Sequence, residues 1–340
     1  MKSRSILFFY NHYTSFVRTD FEILSSVYQV RKYQFKPVKG LVNTAIELIK
    51  QFLFLSVHIW KYDAVYIWFA DYHSLLPVFF AKIFTKKSFL VIGGYEVCRI
   101  KNLNYGALCS KLRGFFCIRS MYLTSLNLTV SSYINRKVKF IAPGSKTQLV
   151  YNCVDLEKFS NKNNEKENLV LTVGIIENER SFFLKGIDTF IEVARRTPAY
   201  QFIIIGLNTN KLSALISDLP GNLNIVGIVT HNELPVYYSR AKFYCQFSRS
   251  ESFGVSVAEA MFYGCIPIVT NEGGMPEIIG DTGYIVSRNT EQISQLLISM
   301  PNEKSDLQIA AHHRIIANFS LNTRKEILIT TISNILTQNT

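Results

Sequence analysis

The chain has 340 residues, of which 48% are hydrophobic and 18% charged, and it carries a net charge of +12. This composition excludes a largely disordered chain, and the 17 glycines exclude a collagen-like one. Its 6 cysteines form no CxxC pair, which is typical of a reducing compartment rather than of a disulfide framework or a zinc site. The length favours two domains.

Charge is divided unequally along the chain. Residues 1–160 carry 22 Lys+Arg and 8 Asp+Glu, a net charge of +14, whereas the remainder carries 15 and 17, a net charge of −2. A strongly basic half predicts an anionic partner, for which nucleic acid and an anionic membrane surface are the two candidates. Because no nucleic-acid-binding module is found, we expect no nucleic-acid partner.

No segment predicts a signal peptide or a transmembrane helix. The first apolar run is five residues long, and the most apolar longer window, Ala64–Phe84, contains Asp71, His73 and Pro77. We therefore expect a buried strand followed by a helix in that window. The protein is expected to be cytoplasmic, either soluble or bound to a membrane surface without crossing it.

Short apolar runs in the first half predict buried strands, and apolar residues at helical spacing predict a helix at Leu41–Leu55. The polar segment 161–167 (NKNNEKE) predicts a linker. The strands predicted before it are Ser5–Tyr10, Ala64–Phe69, Phe89–Ile92, Leu128–Val130 and Lys139–Ile141.

After the linker, strands alternate regularly with helices of about ten residues, which predicts right-handed βαβ units in a doubly wound parallel sheet. We predict α/β architecture with two Rossmann-like domains, residues 1–160 and 168–320, facing each other across a cleft, and a helix within 321–340 that crosses back to the first domain. The predicted strands are Asn168–Val173, Gln201–Ile205, Leu223–Val226, Phe243–Phe247, Ile266–Thr270 and Gly283–Val286. The predicted helices are Gly186–Arg196, Lys211–Leu219, Glu233–Ala241, Val255–Tyr263, Pro276–Ile279, Asp306–Asn318 and Thr323–Leu336.

The strongest motif is the run 248–283, SRSESFGVSVAEAMFYGCIPIVTNEGGMPEIIGDTG. It places Glu251 in the loop after a predicted strand and Glu259 in the first turns of the following helix. Backbone amides at that helix start suit an anion, and carboxylates accept paired hydrogen bonds from the vicinal hydroxyls of a sugar or ribose. Each residue taken alone also fits a solvated acid or a turn glycine, and only the whole run favours a ligand site.

Glu251 and Glu259, separated by seven residues and followed by Gly-Gly-Met-Pro-Glu, resemble the donor-site signature of family-four retaining glycosyltransferases of the GT-B fold, glycosyl transferases group 1. The resemblance covers about residues 150–320 and is weaker upstream. It implies that a nucleotide-diphosphate sugar binds the C-terminal domain, that the acceptor binds the N-terminal domain, and that no catalytic metal or other cofactor is needed. Further matches are Leu171–Gly174, Lys185–Asp188, Tyr151–Asp155 and Asn318–Ser320.

The resemblance also implies roles for single residues. Glu251 would bind the hydroxyls of the donor sugar and Glu259 those of the ribose. Lys185 would pair with the donor phosphates and stabilise the charge on the leaving diphosphate, as a metal does elsewhere. The other residues implied on the donor side are Phe253, Gly254, Val255, Gly174, Gly273 and Gly274.

The sequence departs from the family pattern at two places. The family arginine after the Val-Gly strand end is Ile175 here, and Arg180 is expected to supply that charge. The family's His-Gly-x-Asp reads GGYE at 93–96, so Glu96 stands for the acid and the histidine is missing. His73 could reach the cleft instead. The acceptor-side candidates are Gly94, Glu96, His73 and Arg99.

The leading hypothesis is a retaining transferase that moves a sugar from a UDP- or GDP-sugar to a glycan or lipid-linked acceptor in bacterial envelope polysaccharide synthesis. The segment Lys111–Phe116, with Arg119 and Tyr122, mixes basic and aromatic side chains and is the candidate contact to an anionic membrane. The alternatives are a non-catalytic nucleotide-sugar-binding partner protein and a GT-B sugar-nucleotide epimerase. A dinucleotide oxidoreductase is disfavoured because GxGxxG is absent.

Overall fold

The computed structural model describes residues 4–36, 38–155, 165–300 and 305–337. The chain divides into two compact units: unit 1 comprises Met1–Asn152 and Arg324–Thr340, and unit 2 comprises Cys153–Thr323. The predicted boundary at residue 160 and most of the predicted linker, 161–167, lie outside the described residues.

The bounds of the regular elements in the described residues follow in chain order. The strands are β1 (Ser5–Tyr10), β2 (Gln29–Gln34), β3 (Ala64–Trp68), β4 (Lys87–Ile92), β5 (Leu126–Thr129), β6 (Thr147–Leu149), β7 (Glu167–Ile176), β8 (Gln201–Leu207), β9 (Leu223–Val226), β10 (Ala241–Gln246), β11 (Ile266–Thr270) and β12 (Tyr284–Val286). The helices are α1 (Ser15–Ser25), α2 (Leu41–His58), α3 (Leu75–Ile83), α4 (Lys111–Leu123), α5 (Ser132–Ile141), α6 (Glu179–Lys185), α7 (Ile187–Arg196), α8 (Thr209–Leu212), α9 (Leu234–Arg240), α10 (Val255–Phe262), α11 (Met275–Ile279), α12 (Thr290–Ser299), α13 (Ser305–Asn318) and α14 (Leu321–Thr337).

Unit 1 is built on a six-stranded parallel sheet in the order β2-β1-β3-β4-β5-β6. Apolar side chains on both sides of β1, β3 and β4 are buried, as expected for strands covered by helices on both faces. Because parallel crossovers are right-handed, α1 lies on one face of the sheet and α2, α3 and α4 lie together on the other. α3 packs between α2 and α4.

The last helix contributes a buried ion pair to unit 1. The guanidinium of Arg324 donates to both carboxylate oxygens of Asp20, at 2.7 and 2.8 Å. The hydroxyl of Tyr66 and the indole N–H of Trp68 donate to the same carboxylate at 2.6 and 2.8 Å. Four donors thus compensate the desolvation of Asp20, so that a charge can be buried here without a large penalty.

Unit 2 contains a second six-stranded parallel sheet, in the order β12-β11-β10-β7-β8-β9. Its core lies between the sheet and the helices that cover it, with Phe190 against Phe202 and Tyr200 against Phe243 as edge-to-face pairs. The chain crosses the sheet in one direction from β7 to β9 and then returns to pair β10 with β7. The order therefore reverses between β7 and β10.

The two sheets confirm the prediction of two doubly wound α/β domains. Ser5–Tyr10, Leu223–Val226 and Ile266–Thr270 are strands with the predicted bounds. The predicted strand at Lys139–Ile141 is wrong, because these residues form the end of α5, whose first turn is capped by the hydroxyl of Ser131. The helix predicted at Lys211–Leu219 is only the short α8 and one 3₁₀ turn, Ser213–Leu215.

Candidate active site

The strand order of unit 2 reverses between β7 and β10, and such a reversal leaves a crevice outside the carboxyl ends of the two strands. In open α/β sheets, ligands bind at the point where the strand order reverses, outside the carboxyl ends of the strands. The chain that leaves β7 forms α6, whose last residue is Lys185, and the chain that leaves β10 reaches Glu251 after five residues. The topology therefore brings both predicted residues to one place.

Lys185 and Glu251 form an ion pair, with Nζ 2.7 Å from Oε2. The side-chain amide of Gln246 donates to the same oxygen at 2.8 Å, and the hydroxyl of Ser256 donates to the amide oxygen of Gln246 at 3.1 Å. Glu251 Oε1 accepts no hydrogen bond from the residues that the structure describes. The carboxylate is thus held by one oxygen while the other can accept from a ligand hydroxyl.

Two glycines allow these loops to approach each other. A Cβ on Gly273, whose φ is +75°, would lie 1.7 Å from the carbonyl oxygen of Glu251. The N–H of Gly274 donates to that same carbonyl at 2.9 Å. A Cβ on Gly186, with φ +70°, would lie 2.0 Å from the carbonyl oxygen of Phe247. Only glycine fits these positions, which fix the loops that carry Glu251 and Lys185.

Glu259 lies on α10, and its side chain is only 7% exposed. Its Oε1 is 2.7 Å from Nε2 of His231, and its Oε2 accepts from the hydroxyl of Tyr238 at 3.0 Å. Burial and the neighbouring negative charge of Glu259 raise the pKa of Tyr238 well above its ordinary value, so that this hydroxyl stays a donor. The sequence analysis did not identify His231 or Tyr238.

The remaining donor-side candidates differ in position. Gly254, with φ +101°, is the N-cap of α10, and Val255 is the first residue of the helix. Gly174 lies in β7, where a Cβ would be 3.9 Å from Cδ of Lys185. Phe253 is buried with its ring 5.6 Å from that of Phe319, so that it supports the loop from inside unit 2.

Arg180 is not brought to the Lys185–Glu251 pair. It is exposed on the first turn of α6, and residues five apart on a helix point about 140° away from each other. A different arginine, which the sequence analysis did not identify, bonds to the segment that carries Lys185. Its guanidinium pairs with both oxygens of Asp188 at 3.0 and 2.6 Å, and the backbone N–H of Arg249 donates to the carbonyl oxygen of Leu184 at 2.8 Å. These contacts of Arg249 connect the loop that carries Glu251 to the segment after β7.

In unit 1, Glu96 is buried and connects the ends of β3 and β4 through hydrogen bonds. Its carboxylate accepts hydrogen bonds from the backbone N–H groups of Ala70, Gly93 and Gly94, at 3.3, 3.0 and 2.6 Å. Burial raises its pKa to about 7, and these N–H groups oppose the rise. Gly94, with φ +125°, makes this turn possible. Glu96 is thus held inside unit 1, and of the predicted acceptor-side residues only Arg99 is exposed.

His73 does not present its ring to the surface. It is 1% exposed, its Nε2 lies 3.0 Å from the carbonyl oxygen of Trp68, and its own carbonyl accepts from Gln51 at 2.9 Å. Burial lowers its pKa, so that the neutral form is favoured. The turn that leads into α3 folds the ring inward.

A polar cluster that the sequence analysis did not identify lies after the end of β3. Nε of Arg113 donates to Asp71 at 2.9 Å and its Nη1 donates to the hydroxyl of Tyr95 at 3.0 Å. The guanidinium also lies 5.2 Å from the ring centre of Tyr72. All four side chains are half-buried, which leaves them accessible to a ligand of unit 1. No group of three or more His, Cys, Asp or Glu side chains within the described ranges could hold a metal ion.

Residues 154–318 match the family model of glycosyl transferases group 1. An uncharacterised 41.2 kDa protein from the cps region of Klebsiella pneumoniae is 31% identical over 156 residues, 42% of each chain. The O-antigen chain mannosyltransferase B of Escherichia coli is 30% identical over 91 residues, 26% of this chain and 24% of that protein. The matched parts span less than half the length of these curated relatives.

Solved structures share the fold of the whole chain. Sucrose-phosphate synthase from Thermosynechococcus elongatus aligns with a TM-score of 0.79 and 15% identity, covering 99% of this chain and all of that one. Anabaena HepE, solved in complex with UDP and glucose, aligns with a TM-score of 0.74 and 14% identity over 97% of this chain and all of that one. At these identities the likeness establishes the GT-B fold alone.

Proposed function

We propose that this protein is a retaining glycosyltransferase that moves a sugar from a nucleotide-diphosphate sugar, with UDP or GDP as the nucleotide, to a hydroxyl of a glycan or lipid-linked acceptor. The proposed setting is bacterial envelope polysaccharide synthesis, on the cytoplasmic face of the membrane. The family-model match over residues 154–318 and the similarity to a protein from a cps region and to an O-antigen chain mannosyltransferase support this setting.

The observation that carries the proposal is the Lys185–Glu251 ion pair in the crevice between β7 and β10. A cation there suits a diphosphate, and a carboxylate with one oxygen open suits sugar hydroxyls. Glu259, fixed by His231 and Tyr238, offers the second carboxylate for the ribose hydroxyls. These groups belong to one unit and need no rearrangement of the sheet to act together.

In the proposed reaction, the bond between the sugar C1 and the diphosphate oxygen breaks, and its electron pair stays on the diphosphate. Lys185 and the amides at the start of α10 stabilise this charge, which is the task that a divalent metal performs in other transferases. The acceptor hydroxyl bonds to C1 on the face that the diphosphate leaves, and its proton passes to the departing diphosphate. Glu251 positions the sugar, and no side chain is assigned as a nucleophile.

On the acceptor side we propose unit 1, where Asp71 after β3, Tyr95 after β4 and Arg113 on α4 offer hydrogen-bonding groups. Glu96 and Gly94 would act as positioning residues, because they shape the turn beside this cluster. His73 would keep the strand end in place from inside.

Calorimetric titration with UDP and with GDP in EDTA tests the donor site. We expect metal-independent binding of one nucleotide, weakened at least tenfold in Glu259→Gln and unchanged in Glu192→Gln, a matched surface variant whose carboxylate pairs with Arg196 in the same unit. Absence of binding to either nucleotide contradicts the assignment.

A second measurement separates the transferase from its alternatives. The nucleotide sugar that matches the bound nucleotide is incubated with the protein, with and without a membrane extract as the source of acceptor. Release of free nucleotide only with acceptor supports the transferase. Conversion of the sugar without acceptor indicates an epimerase, and tight binding without turnover in either case indicates a non-catalytic binder.

A further inference from the structure

The outer face of α2 is apolar along its whole length. The stripe consists of side chains spaced three or four residues apart, which places them on one side of the helix. All are exposed, from 44% for Ile46 to 74% for Val42. We call this set the α2 stripe: Val42, Ile46, Ile49, Leu53, Val57 and, in the 3₁₀ turn that follows, Trp60.

The inner face of the same helix is partly polar. Glu47 and Gln51 are buried together with Leu55, and Gln51 donates to the carbonyl of His73 at 2.9 Å. A surface helix of a globular protein normally shows the opposite arrangement, with apolar residues inward and polar residues outward. The α2 stripe is thus left largely uncovered by unit 1, and a contiguous exposed apolar surface marks an interaction site.

The apolar surface continues onto the neighbouring helices. Between α3 and α4 lies a groove of about 630 Å³, lined by Phe79, Ile83 and Phe115 and flanked by Lys82 and Arg119. Phe52 on α2 meets Phe80 on α3 with ring centres 5.4 Å apart, so that the stripe and the groove belong to adjoining helices. The three helices form one face.

The charge within the three helices is almost entirely positive. Within α2, α3 and α4 the single carboxylate is Glu47, which is 7% exposed and paired with Lys50 at 2.7 Å. The basic residues within these helices or up to five positions from them are Lys36, Lys39, Lys50, Lys61, Lys82, Lys86, Lys87, Lys111, Arg113 and Arg119, against Asp63 and Asp71, of which Asp71 pairs with Arg113. An apolar stripe with a basic surround is the pattern of segments that lie in the interface of an anionic membrane.

We propose that the face formed by α2, α3 and α4 binds an anionic lipid bilayer, with α2 lying in the interface plane. A second copy of this chain fits less well, because a symmetric contact through this face would bring the basic surround of one copy against that of the other. The proposal defines the membrane contact more closely than the segment Lys111–Phe116 alone, since α2 supplies most of the exposed apolar surface.

The contacts of α2 indicate that it lies on the bilayer rather than across it. Among the described residues, one stretch, Leu41–Lys61, is long and apolar enough to span a membrane by length and composition. Its inner face, however, is joined to unit 1 through Gln51, which donates to the backbone of His73. Insertion across the bilayer would break this contact and place Glu47 and Gln51 in hydrocarbon.

The chain contains its own reporter for this interaction. It has two tryptophans, of which Trp60 is 53% exposed at the end of the stripe and Trp68 is 1% exposed in the core. Added to vesicles of phosphatidylcholine with 30% phosphatidylglycerol, the full-length protein should show a blue shift of its emission. Brominated lipid should quench it, and Trp60→Phe should lose both responses while still sedimenting with the vesicles.

Sedimentation with the same vesicles tests the stripe itself. We expect Ile49→Ser with Leu53→Ser to lower the bound fraction at least fivefold, and the matched control Ile228→Ser with Ile298→Ser, equally exposed in unit 2, to bind as the unchanged protein does. Binding should fall at 0.5 M salt and with phosphatidylcholine alone. Equal sedimentation of the two double variants, or no quenching, overturns the proposal.

Light scattering without lipid tests the other candidate partner of this face, a second copy of the chain. A dimer that Ile49→Ser with Leu53→Ser converts to a monomer, together with no vesicle binding, assigns the face to a second copy and overturns the membrane proposal. The inference deepens the proposed membrane location but does not depend on sugar transfer. Vesicle binding is measured without nucleotide, and nucleotide binding by the stripe variant is expected to be unchanged, so that either proposal can fail alone.

Discussion

Nζ of Lys185 lies 2.7 Å from Oε2 of Glu251, so that the cation and the carboxylate proposed to act on the donor neutralise each other in the unliganded protein. A diphosphate entering the crevice would share the lysine with Glu251, and the sugar hydroxyls would meet the open oxygen of the carboxylate. The pair thus keeps both side chains oriented before the donor arrives, which lowers the entropic cost of binding.

Lys185→Gln should lower kcat by about 10²–10³-fold, the usual loss when a group that stabilises developing charge is removed. Arg180→Gln should change kcat by less than about twofold, because Arg180 points away from the Lys185–Glu251 pair on α6. Steady-state release of the nucleotide found by calorimetry measures both. Equal losses in the two variants would restore the role that the sequence assigned to Arg180.

Gly273→Ala should weaken nucleotide-sugar binding and destabilise unit 2 by about 1–3 kcal/mol, because the new Cβ cannot occupy the space beside the carbonyl of Glu251. Gly221→Ala is the matched control, since no atom lies within 4 Å of a Cβ built there. Chemical denaturation and calorimetry measure the two effects. Normal binding by Gly273→Ala would show that the close contact does not position Glu251.

Glu96 should make the stability of unit 1 depend on pH. Its pKa is raised by burial from an ordinary 4.5 to about 7, so that the folded state holds a proton which the unfolded state has lost between these values. The stabilisation of the folded state by this proton is fully present below about pH 4.5 and is lost as the pH rises to 7. The free energy of unfolding should fall in this range by at most about 1.4 kcal/mol per pH unit.

Glu96→Gln should remove this slope. Unfolding free energies of both proteins at pH 5, 6 and 7 give the comparison, because other titrating groups contribute equally to each. A difference between the two proteins that does not change with pH would mean that Glu96 is ionised in the folded state throughout this range.

Arg324→Met should destabilise unit 1 by about 3–5 kcal/mol, because the buried carboxylate of Asp20 loses its cation. Lys325→Met, at the exposed neighbouring position, should change stability by less than about 0.5 kcal/mol. The fluorescence of Trp68, whose indole donates to Asp20, reports the unfolding of this unit. Similar midpoints for the two variants would show that the ion pair contributes little.

Local sequence patterns predicted the parts of the fold that depend on local physics. β1, β9 and β11 were predicted with their bounds, because apolar runs bounded by polar or glycine residues identify buried parallel strands. β2 was not predicted, since an edge strand with Arg31 and Lys32 exposed lacks that pattern. Local pattern also failed at the end of α5, where a strand was predicted, because a run of three residues of which two are apolar fits a strand and a helix equally well.

In the candidate site, too, local sequence predicted some residues, whereas their partners depend on the fold. The spacing of Glu251 and Glu259 is a local motif, and the positive φ of Gly254 and Gly273 agrees with the glycines found there. The partners of these residues depend on the fold, since Lys185 is 66 positions from Glu251 and His231 is 28 from Glu259. Asp71 and Arg113, 42 positions apart, carried no signal in the sequence.

The position of Arg324 has a consequence for the order in which the chain matures during synthesis. Unit 1 is interrupted by the whole of unit 2, and the residue that compensates Asp20 follows it by 304 positions. As the chain leaves the ribosome, unit 2 can complete its sheet while Asp20 of unit 1 has the hydrogen bonds of Tyr66 and Trp68 but still lacks its cation. The first unit to begin folding is therefore the last to finish, and α14 is its closing element.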